Sequence, residues 1–342
     1  MADGGVEVSE RIAVLGAGSW GTALAVHCAR IGHEVRLWGR DAGLMDEIAR
    51  TRENTPYLPG VSLDSRIDPT ASLEQALAGA PLVVAAVPSH GMRHVLRDAA
   101  PLMSADAVLM SATKGLETET LARMSQVAAA ETGMDRPIAV LSGPSFALEV
   151  ARGLPTAVVV ASSSAEATRR VQDTLKGPAL RLYASDDVTG VEFGGALKNV
   201  IAIAAGVVEG LGIGHNAMAA LITRGLVEMS RLACAEGSRR ETLAGLSGLG
   251  DLVLTCTGDL SRNRRVGIEL GRGRSLEEIL SETRMVAEGV RTTQAALALG
   301  AQHGVELPLA AQMAAVLEGR TTALSAVEAL MLRPQRSETD RV

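Results

Sequence analysis

The sequence has few cysteines and no excess of basic residues. Its three cysteines, Cys28, Cys234 and Cys256, lie far apart and lack the paired spacing of a zinc site or a disulfide framework. We therefore expect no metal and a cytoplasmic protein. The net charge of -6 argues against a nucleic acid or an anionic membrane as the main partner, because such binding relies on a basic field. An anionic ligand would need a local pocket.

We also expect neither a membrane-spanning apolar run nor a secretory signal. The apolar stretches look too short to span a bilayer, so no transmembrane helix is expected. The first ten residues include Asp3, Glu7 and Glu10 and have no apolar core, which is the opposite of a secretory signal. No repeat of the period found in solenoids or propellers occurs.

What the chain does contain is two contrasting halves within 342 residues, a length that favours two domains. The first half alternates β-branched runs with helical patterns, which is typical of a parallel sheet. From Val188 onward, helical segments rich in Ala, Leu and Gly replace the strands. We predict a doubly wound α/β domain over residues 1–187 and an all-helical domain over residues 188–342. The predicted strands are residues 12–15, 35–38, 82–87, 107–111, 138–141 and 156–161, with 180–183 as a further candidate.

A glycine motif follows the first predicted strand and opens a helix. Gly16, Gly18 and Gly21 have the G-x-G-x-x-G spacing of a dinucleotide-binding turn. In such a turn the first glycine permits the tight bend, the second lets the pyrophosphate approach the backbone, and the third lets the helix pack closely on the strand. The alternative is a glycine-rich turn without a ligand. The context favours NAD or NADP as cofactor.

The end of the second predicted strand bears on the choice between these cofactors. NAD-binding versions place an acidic residue about 20 residues after the motif, on the ribose hydroxyls. Here Arg40 follows the strand, and a guanidinium suits the 2′-phosphate of NADP. Asp41 beside it could still serve a ribose, and Arg40 could also be a solvated surface charge.

One lysine lies in an apolar helical run, residues 193–208. Lys198 is the only charged residue between Glu192 and Glu209, and lysine is rarely buried without a partner. Burial would lower its pKa toward the range useful for proton transfer. Alternatively, its stem could carry the ammonium group to solvent. Asp251, in another apolar and glycine-rich segment, is the candidate partner, although it could also cap a helix.

A basic turn begins another predicted helix. Arg262, Arg264 and Arg265 would meet the positive end of the helix dipole, which is unfavourable unless an anion joins them. A phosphate held by Arg262, the Asn263 amide and backbone N–H groups would remove that conflict. The alternative is a solvated basic turn, for which Arg264 and Arg265 are the best candidates.

Polar residues also follow three predicted strands. Lys114 follows strand 107–111, while Gly143 and Ser145 follow strand 138–141. Such residues can be ordinary turn residues, but two consecutive strands that deliver polar groups to one edge favour a site. His90 follows strand 82–87, where we expect it to line the nicotinamide side and not to act as a base.

Taken together, these motifs resemble the bacterial NAD(P)-dependent glycerol-3-phosphate dehydrogenases over almost the whole chain. The resemblance implies a Rossmann domain, a helical domain like the C-terminal domain of 6-phosphogluconate dehydrogenase, and a homodimer. It also implies reduction of dihydroxyacetone phosphate to sn-glycerol 3-phosphate for phospholipid synthesis. The matching motifs are residues 16–21, 112–117, 142–147, 194–199, 248–251, 261–263 and 286–289.

The same resemblance implies roles for individual residues. Lys198 would be the proton donor and acceptor, and we expect Asn199 and Thr255 to assist it at the substrate oxygen. The residues implied to contact the substrate are Lys114, Gly143, Ser145, Asp251, Ser261, Arg262 and Asn263. Those implied to contact the dinucleotide are Ser19, Trp20, Arg40, Lys114, Ala147, Arg262, Val286 and Glu288.

Two other functions fit parts of the pattern. One is a 3-hydroxyacid or 6-phosphogluconate type of dehydrogenase with a similar architecture. The other is a dinucleotide-sensing protein without catalysis, against which the presence of both Lys198 and Asp251 weighs.

Overall fold

The computed structural model describes residues 9–282, 288–335 and 337–338. The chain forms two compact units. The first comprises Met1–Thr113, Met124–Leu141 and Ser145–Val188, and the second comprises Lys114–Arg123, Ser142–Pro144 and Thr189–Val342. Two short segments that follow strands therefore group with the second unit although their sequence neighbours belong to the first.

The sheet of the first unit has the order β3-β2-β1-β4-β5-β6-β7-β8. The neighbouring pairs from β3 to β6 in this order are parallel, and β7 pairs in parallel with β8. Because β1 lies between β2 and β4, the strand order reverses there, and ligands of such sheets bind at the carboxyl ends of the strands at this reversal. The strands are Arg11–Leu15 (β1), Glu34–Trp38 (β2), Ile67–Thr70 (β3), Leu82–Ala85 (β4), Val108–Ser111 (β5), Ile138–Ser142 (β6), Thr156–Ala161 (β7) and Leu180–Ser185 (β8).

The sequence predicts these strands because they are apolar runs buried on both faces of a parallel sheet, as β4 is along its whole length. All seven predicted strands are present, although β4 ends at Ala85, two residues earlier than expected. The prediction missed β3, because Asp68 and Pro69 interrupt its apolar pattern. Proline lacks the N–H that a central strand needs, and it is tolerated here because β3 is an edge strand.

Helices pack against this sheet and build the core of the first unit. In α7, Ala167, Val171 and Leu175 recur at the helical spacing and are buried, while the N-cap Ser164 accepts a hydrogen bond from the N–H of Ala167 at 3.2 Å. The helices are Ser19–Arg30 (α1), Ala42–Thr51 (α2), Leu73–Leu77 (α3), Ser89–Ala99 (α4), Met124–Thr132 (α5), Ala147–Arg152 (α6) and Ala165–Leu175 (α7), with a 3₁₀ turn at Ala100–Leu102.

Among the described residues from Val188 onward, the regular secondary structure is helical, as the sequence predicts. A π-helical turn at Leu246–Gly250 precedes α11. The helices are Val188–Gly210 (α8), His215–Ala235 (α9), Arg240–Leu243 (α10), Asp251–Thr257 (α11), Arg262–Gly271 (α12), Leu276–Ser281 (α13), Glu288–His303 (α14), Pro308–Leu317 (α15) and Ala323–Met331 (α16).

Helix α8 forms the centre of the second core and is buried nearly throughout, as its apolar composition predicts. Its length and composition would suffice to cross a membrane, so the expectation that no apolar stretch is long enough was wrong. Its apolar stretch is entirely buried inside the fold, as in the core helix of a globular protein. Helix α12 packs against it through glycines, since a Cβ at Gly206 or Gly267 would overlap backbone of the other helix.

Candidate active site

The glycine turn after β1 has the shape expected of a dinucleotide-binding turn. Gly16 has φ +119°, and a Cβ there would lie 2.6 Å from the carbonyl oxygen of Ala86. A Cβ at Gly21 would overlap the carbonyl oxygen of Gly16, so the helix can approach the strand only without one. Gly18 differs, because a Cβ there would meet no described atom within 4 Å. The turn therefore leaves open space at the one glycine where a pyrophosphate would approach.

The N-terminus of α1 adds to this fit. Gly18 is the N-cap residue of α1, and no side chain among the described residues caps that end by a hydrogen bond. Unpaired N–H groups at a helix N-terminus favour an anion. Two neighbours are held by the fold: the Ser19 hydroxyl donates to the carbonyl oxygen of Tyr57 at 2.6 Å, and Trp20 packs on the core of the first unit.

The end of β2 carries the residues that would distinguish the two cofactors. Arg40 is exposed. The Asp41 carboxylate caps α2 by accepting from the N–H of Leu44 at 3.1 Å, so part of its capacity is already used. An exposed guanidinium at this position suits a 2′-phosphate.

Other residues implied to contact the dinucleotide are placed as follows. Ala147 begins α6 and packs on the core of the first unit, and Glu288 begins α14. Val286 lies outside the described residues. His90 is exposed near the start of α4.

In the second unit, Lys198 is buried and paired. Its side chain projects from α8 and is only 9% exposed, so the alternative of a solvent-reaching ammonium group is wrong. Its Nζ donates to Asp251 Oδ1 at 2.5 Å and to Thr255 Oγ1 at 3.0 Å. The predicted pairing with Asp251 is thus confirmed. Asp251 is the first residue of α11 and is not its N-cap, which is Gly250.

A second lysine shares the same carboxylate, which the sequence analysis did not anticipate. Lys114 Nζ donates to Asp251 Oδ2 at 2.7 Å and to the carbonyl oxygen of Gly143 at 3.1 Å. Asp251 is therefore a buried carboxylate between two ammonium groups. Lys114 was expected only at a strand end, because no periodicity in the sequence indicates which distant carboxylate a loop residue contacts.

These contacts decide the acidity of Lys198. Burial lowers its pKa from 10.5 to about 7, because the charged form loses its hydration. The Asp251 carboxylate opposes this shift, and the Lys114 ammonium adds to it. An amine with such a pKa can both give and take a proton near neutral pH. The Thr255 hydroxyl helps to orient the Lys198 amine. This hydroxyl donates to the carbonyl oxygen of Asp251 at 2.6 Å and accepts a hydrogen bond from Lys198 Nζ.

Next to Lys198, a chain of amides connects three helices. Asn263 Nδ2 donates to Asn199 Oδ1 at 3.0 Å, and Asn263 Oδ1 accepts from the N–H of Gly289 at 3.1 Å. Asn199 Nδ2 donates to the carbonyl oxygen of Gly195 at 3.4 Å. The close glycine packing of α12 on α8 places Asn263 in reach of Asn199, which is buried like its partner.

The basic turn at the start of α12 has one arginine that differs from the others. Arg264 pairs with Glu209 at 2.6 Å and with Asp259 at 3.1 Å, so it is not the solvated charge that the alternative expected. Arg265 donates to the carbonyl oxygen of Asp259 at 3.2 Å.

Arg262 is the exception. No hydrogen bond or ion pair holds the Arg262 side chain within the part of the chain that the structure describes, although the Glu288 carboxylate acts on it through charge. Desolvation lowers the pKa of Arg262, and Glu288 opposes that shift. It begins α12, whose N-cap Ser261 accepts from the N–H of Arg264 at 3.2 Å. An unpaired guanidinium beside a helix N-terminus suits an anion such as a phosphate.

Within residues 9–282, 288–335 and 337–338, no group of three or more His, Cys, Asp and Glu side chains could hold a metal ion.

Families of known proteins match both parts of the chain. Residues 11–168 match the model of the N-terminus of NAD-dependent glycerol-3-phosphate dehydrogenase, and residues 187–328 match that of its C-terminus. The chain belongs to the NAD-dependent glycerol-3-phosphate dehydrogenase family.

Individual relatives agree with this membership in the glycerol-3-phosphate dehydrogenase family. The chain is 54% identical over 336 residues to the glycerol-3-phosphate dehydrogenase (NAD(P)+) of Acidobacterium capsulatum, which covers 96% of this chain and 99% of the relative. It is 52% identical to that of Moorella thermoacetica, over 97% of this chain and 99% of the relative. The crystal structure of glycerol-3-phosphate dehydrogenase from Coxiella burnetii superposes with a TM-score of 0.92 at 42% identity, over 95% and 99% of the two chains.

Proposed function

We propose that this protein reduces dihydroxyacetone phosphate to sn-glycerol 3-phosphate with NADPH or NADH, and catalyses the reverse reaction. The observation that carries the proposal is the buried Lys198, whose pKa of about 7 lies in the range for proton transfer. Family membership supplies the class of reaction, and the paired lysine supplies the group that would perform its proton step.

Lys198 acts as general acid and base. When bound, the reduced dinucleotide supplies a hydride. In reduction the Lys198 ammonium gives its proton to the substrate oxygen as negative charge develops there. In oxidation the neutral amine takes the proton of the hydroxyl. Asp251 and Thr255 hold the amine in place, and Asn199 assists from the neighbouring position on α8.

The phosphate end of the substrate binds at the start of α12. Arg262 provides an unpaired guanidinium, while Ser261 and Asn263 are buried on either side of it. A phosphate there would accept a charge-assisted hydrogen bond from Arg262 and would lie at the positive end of the helix dipole. Lys114, Gly143 and Ser145 complete the substrate contacts.

The dinucleotide binds over the glycine turn of the first unit. Gly16, Gly18 and Gly21 shape the turn, and the open space at Gly18 takes the pyrophosphate. Arg40 makes NADP acceptable, and NAD binds through the same turn. The further contacts in this proposal come from Ser19, Trp20, Lys114, Ala147, Arg262, Val286 and Glu288.

We place this reaction in the cytoplasm, in a homodimer, at the supply of glycerol 3-phosphate for phospholipid synthesis. The three unpaired cysteines suit a reducing compartment. Residues 1–187 would form the dinucleotide-binding domain and residues 188–342 the helical catalytic domain.

A steady-state assay tests the function. Oxidation of NADPH and of NADH is followed with dihydroxyacetone phosphate, and in parallel with 3-hydroxyacid dehydrogenase substrates and with 6-phosphogluconate in the oxidative direction. We expect turnover on dihydroxyacetone phosphate with both cofactors. Cofactor binding without turnover on any substrate, or turnover only on carboxylate substrates, would overturn the proposal.

A further inference from the structure

A short segment after α2 forms hydrogen bonds with the glycine turn. Asn54 lies in this segment and is fully buried, with 0% of its surface exposed. Its Nδ2 donates to the carbonyl oxygen of Ala17 at 2.9 Å and to Thr22 Oγ1 at 2.8 Å. Ala17 stands between the first two glycines of the turn, and Thr22 directly follows the third. Both N–H bonds of the Asn54 amide therefore donate to the glycine turn or to the residue that follows it.

The segment that carries Asn54 is itself well held. The N–H groups of Tyr57 and Leu58 donate to the carbonyl oxygen of Asn54 at 3.2 and 2.7 Å, and the Leu58 side chain is buried in the core of the first unit. The Ser19 hydroxyl, which donates to Tyr57, adds a second connection to the turn. The segment is therefore a support and not a loose loop.

The glycine turn needs such a support. Its glycines give the backbone more conformational freedom than other residues would, and binding must remove that freedom at a cost in affinity. The carbonyl group of Ala17 and the N–H group of Gly18 belong to one planar trans peptide and point in opposite directions. When Asn54 holds the carbonyl of Ala17, the Gly18 N–H is fixed toward the opposite side of the peptide.

We infer that Asn54 is a positioning residue for cofactor binding, which fixes the peptide between Ala17 and Gly18 so that its N–H faces the pyrophosphate. The inference rests on the proposed function, in that the dinucleotide must bind over the glycine turn. Asparagine suits the position because Ala17 and Thr22 each receive one of the two N–H bonds of its amide.

The variant Asn54→Asp tests this, because it keeps the size of the side chain and removes both donors. Dissociation constants for NADH and NADPH are measured by energy transfer from tryptophan to the reduced nicotinamide, which is feasible because the chain has only Trp20 and Trp38. We expect both constants to rise by about tenfold, the size typical of a lost buried hydrogen bond, since the pyrophosphate is common to both cofactors. The value of kcat at saturating cofactor should change by less than about twofold.

A pH series separates positioning from mere stabilisation. A protonated carboxyl group has an O–H donor that can again donate to the carbonyl oxygen of Ala17. The affinity of Asn54→Asp for both cofactors should therefore recover toward the wild-type value as the pH falls. Unchanged affinity in this variant at pH 8, or reduced affinity without recovery at lower pH, would overturn the inference.

A second variant and a control keep the test decisive even if Asn54→Asp fails to fold. Thr22→Val removes one acceptor of the Asn54 amide, and we expect about a threefold increase in both dissociation constants. Ser162→Ala removes two other hydrogen bonds of the first unit. The Ser162 hydroxyl donates to the carbonyl oxygen of Ile138 at 2.6 Å, at the start of β6, and accepts from the N–H of Ser164 at 3.1 Å. Ser162→Ala should lower the melting temperature and leave both constants unchanged. If Thr22→Val and Ser162→Ala changed the cofactor dissociation constants equally, the positioning role of Asn54 would be contradicted.

The variant Gly18→Val distinguishes failure of this inference from failure of the proposed site. It fills the open space with little expected strain, because no described atom is near. If Gly18→Val abolishes cofactor binding while Asn54→Asp binds like the wild type, only the role of Asn54 is refuted. If Gly18→Val binds both cofactors normally, the dinucleotide does not bind over the glycine turn, and both proposals fail.

Discussion

The two units build their proposed sites in different ways. In the first unit, the glycine turn is made mainly of the backbone of six neighbouring residues, and Asn54 supports it from a separate segment. In the second unit, the cluster around Asp251 is made of side chains from three distant segments, which carry Lys114, Lys198 and Thr255. A site formed by neighbouring residues can be recognised from the spacing of those residues in the sequence. A site formed by distant segments is indicated only by charged residues in apolar segments, which need partners.

The difference also concerns what each site does with charge. The glycine turn offers N–H groups at a helix end, and residues 16–21 include no titratable side chain. The cluster of the second unit holds two lysines on one carboxylate, so the pKa of Lys198 depends on both Asp251 and Lys114. The affinity for the cofactor should therefore depend on the first site, and the pH dependence of turnover on the second.

The largest expected effect is on turnover, when the lysine of the second unit is removed. Lys198→Ala deletes the proposed general acid, so kcat should fall by about 10² or more while the dissociation constants of the cofactors stay the same. Stopped-flow and steady-state assays with saturating substrate measure this. The matched control is Lys176→Ala, an exposed lysine paired with Asp173, which should not change kcat. Near wild-type turnover in Lys198→Ala would refute the assignment.

The next largest effect is expected on substrate affinity. Arg262→Ala removes a guanidinium that has no ion pair among the described residues, and KM for dihydroxyacetone phosphate should rise by about 10- to 100-fold, because a charge-assisted hydrogen bond is lost. Arg265→Ala is the control, since it lies in the same first turn of α12 and donates only to the backbone of Asp259. If both variants raise KM equally, the turn acts through its general charge and Arg262 has no particular role.

The pH dependence of turnover should move in opposite directions for the two neighbours of Lys198. Reduction needs the ammonium form, so its rate should fall as the pH rises through about 7. Asp251→Asn removes the charge that raises the pKa of Lys198 and should shift this fall to lower pH. Lys114→Met removes a charge that lowers the pKa and should shift it to higher pH. Profiles of kcat from pH 5 to 10 provide the measurement, and shifts of the same sign would contradict this account of the cluster.

The strands show how much of the fold could be predicted from the sequence. Central strands of the parallel sheet are continuous apolar runs, so β1 and β4 are recognised directly. The edge strand β3 has fewer contacts to satisfy and tolerates Pro69, which removed its signal. The helical half was predicted as a class, since apolar helices of similar composition give no information about which faces meet.

In the site, the same limit applies residue by residue. Lys198 and Asp251 could be paired from the sequence, because a charge in an apolar helix demands a partner and few candidates exist. The second contact of Asp251, to Lys114, could not be found, since it depends on how a loop folds. The partner of Arg264 was also missed. Its ion pair with Glu209 requires the close packing of α12 on α8, which the glycines Gly206, Gly210, Gly267 and Gly271 permit.

Within the glycine turn, two substitutions should separate folding from binding. Gly16→Ala places a methyl group 2.6 Å from the carbonyl oxygen of Ala86 at a positive φ, so it should destabilise the first unit by about 1 to 3 kcal/mol. Gly18→Ala adds the same methyl group into open space and should leave the melting temperature unchanged while the cofactor dissociation constants rise severalfold. Calorimetry and fluorescence titration on both variants measure this, and a loss of stability in Gly18→Ala would show that the space is not open.

The smallest effect concerns a second buried titratable group, Glu228, which also has a pKa of about 7 but lies outside the proposed site. Its carboxylate accepts from the N–H groups of Leu309 and Ala310, both at 2.9 Å, at the start of α15, and burial raises its pKa from 4.5. Since the folded protein keeps this proton between pH 4.5 and 7 and the unfolded chain does not, stability should fall as the pH rises through that window.

The variant Glu228→Gln removes the titration and keeps one acceptor oxygen. Its melting temperature should therefore depend less on pH between 5 and 7 than that of the wild type, whereas kcat and its pH profile should stay unchanged. Melting curves of both proteins at pH 5, 6 and 7 provide the comparison. If Glu228→Gln instead shifted the pH profile of turnover, the pKa of Lys198 would no longer suffice to explain that profile, and the separation between the catalytic cluster and the rest of the second unit would be lost.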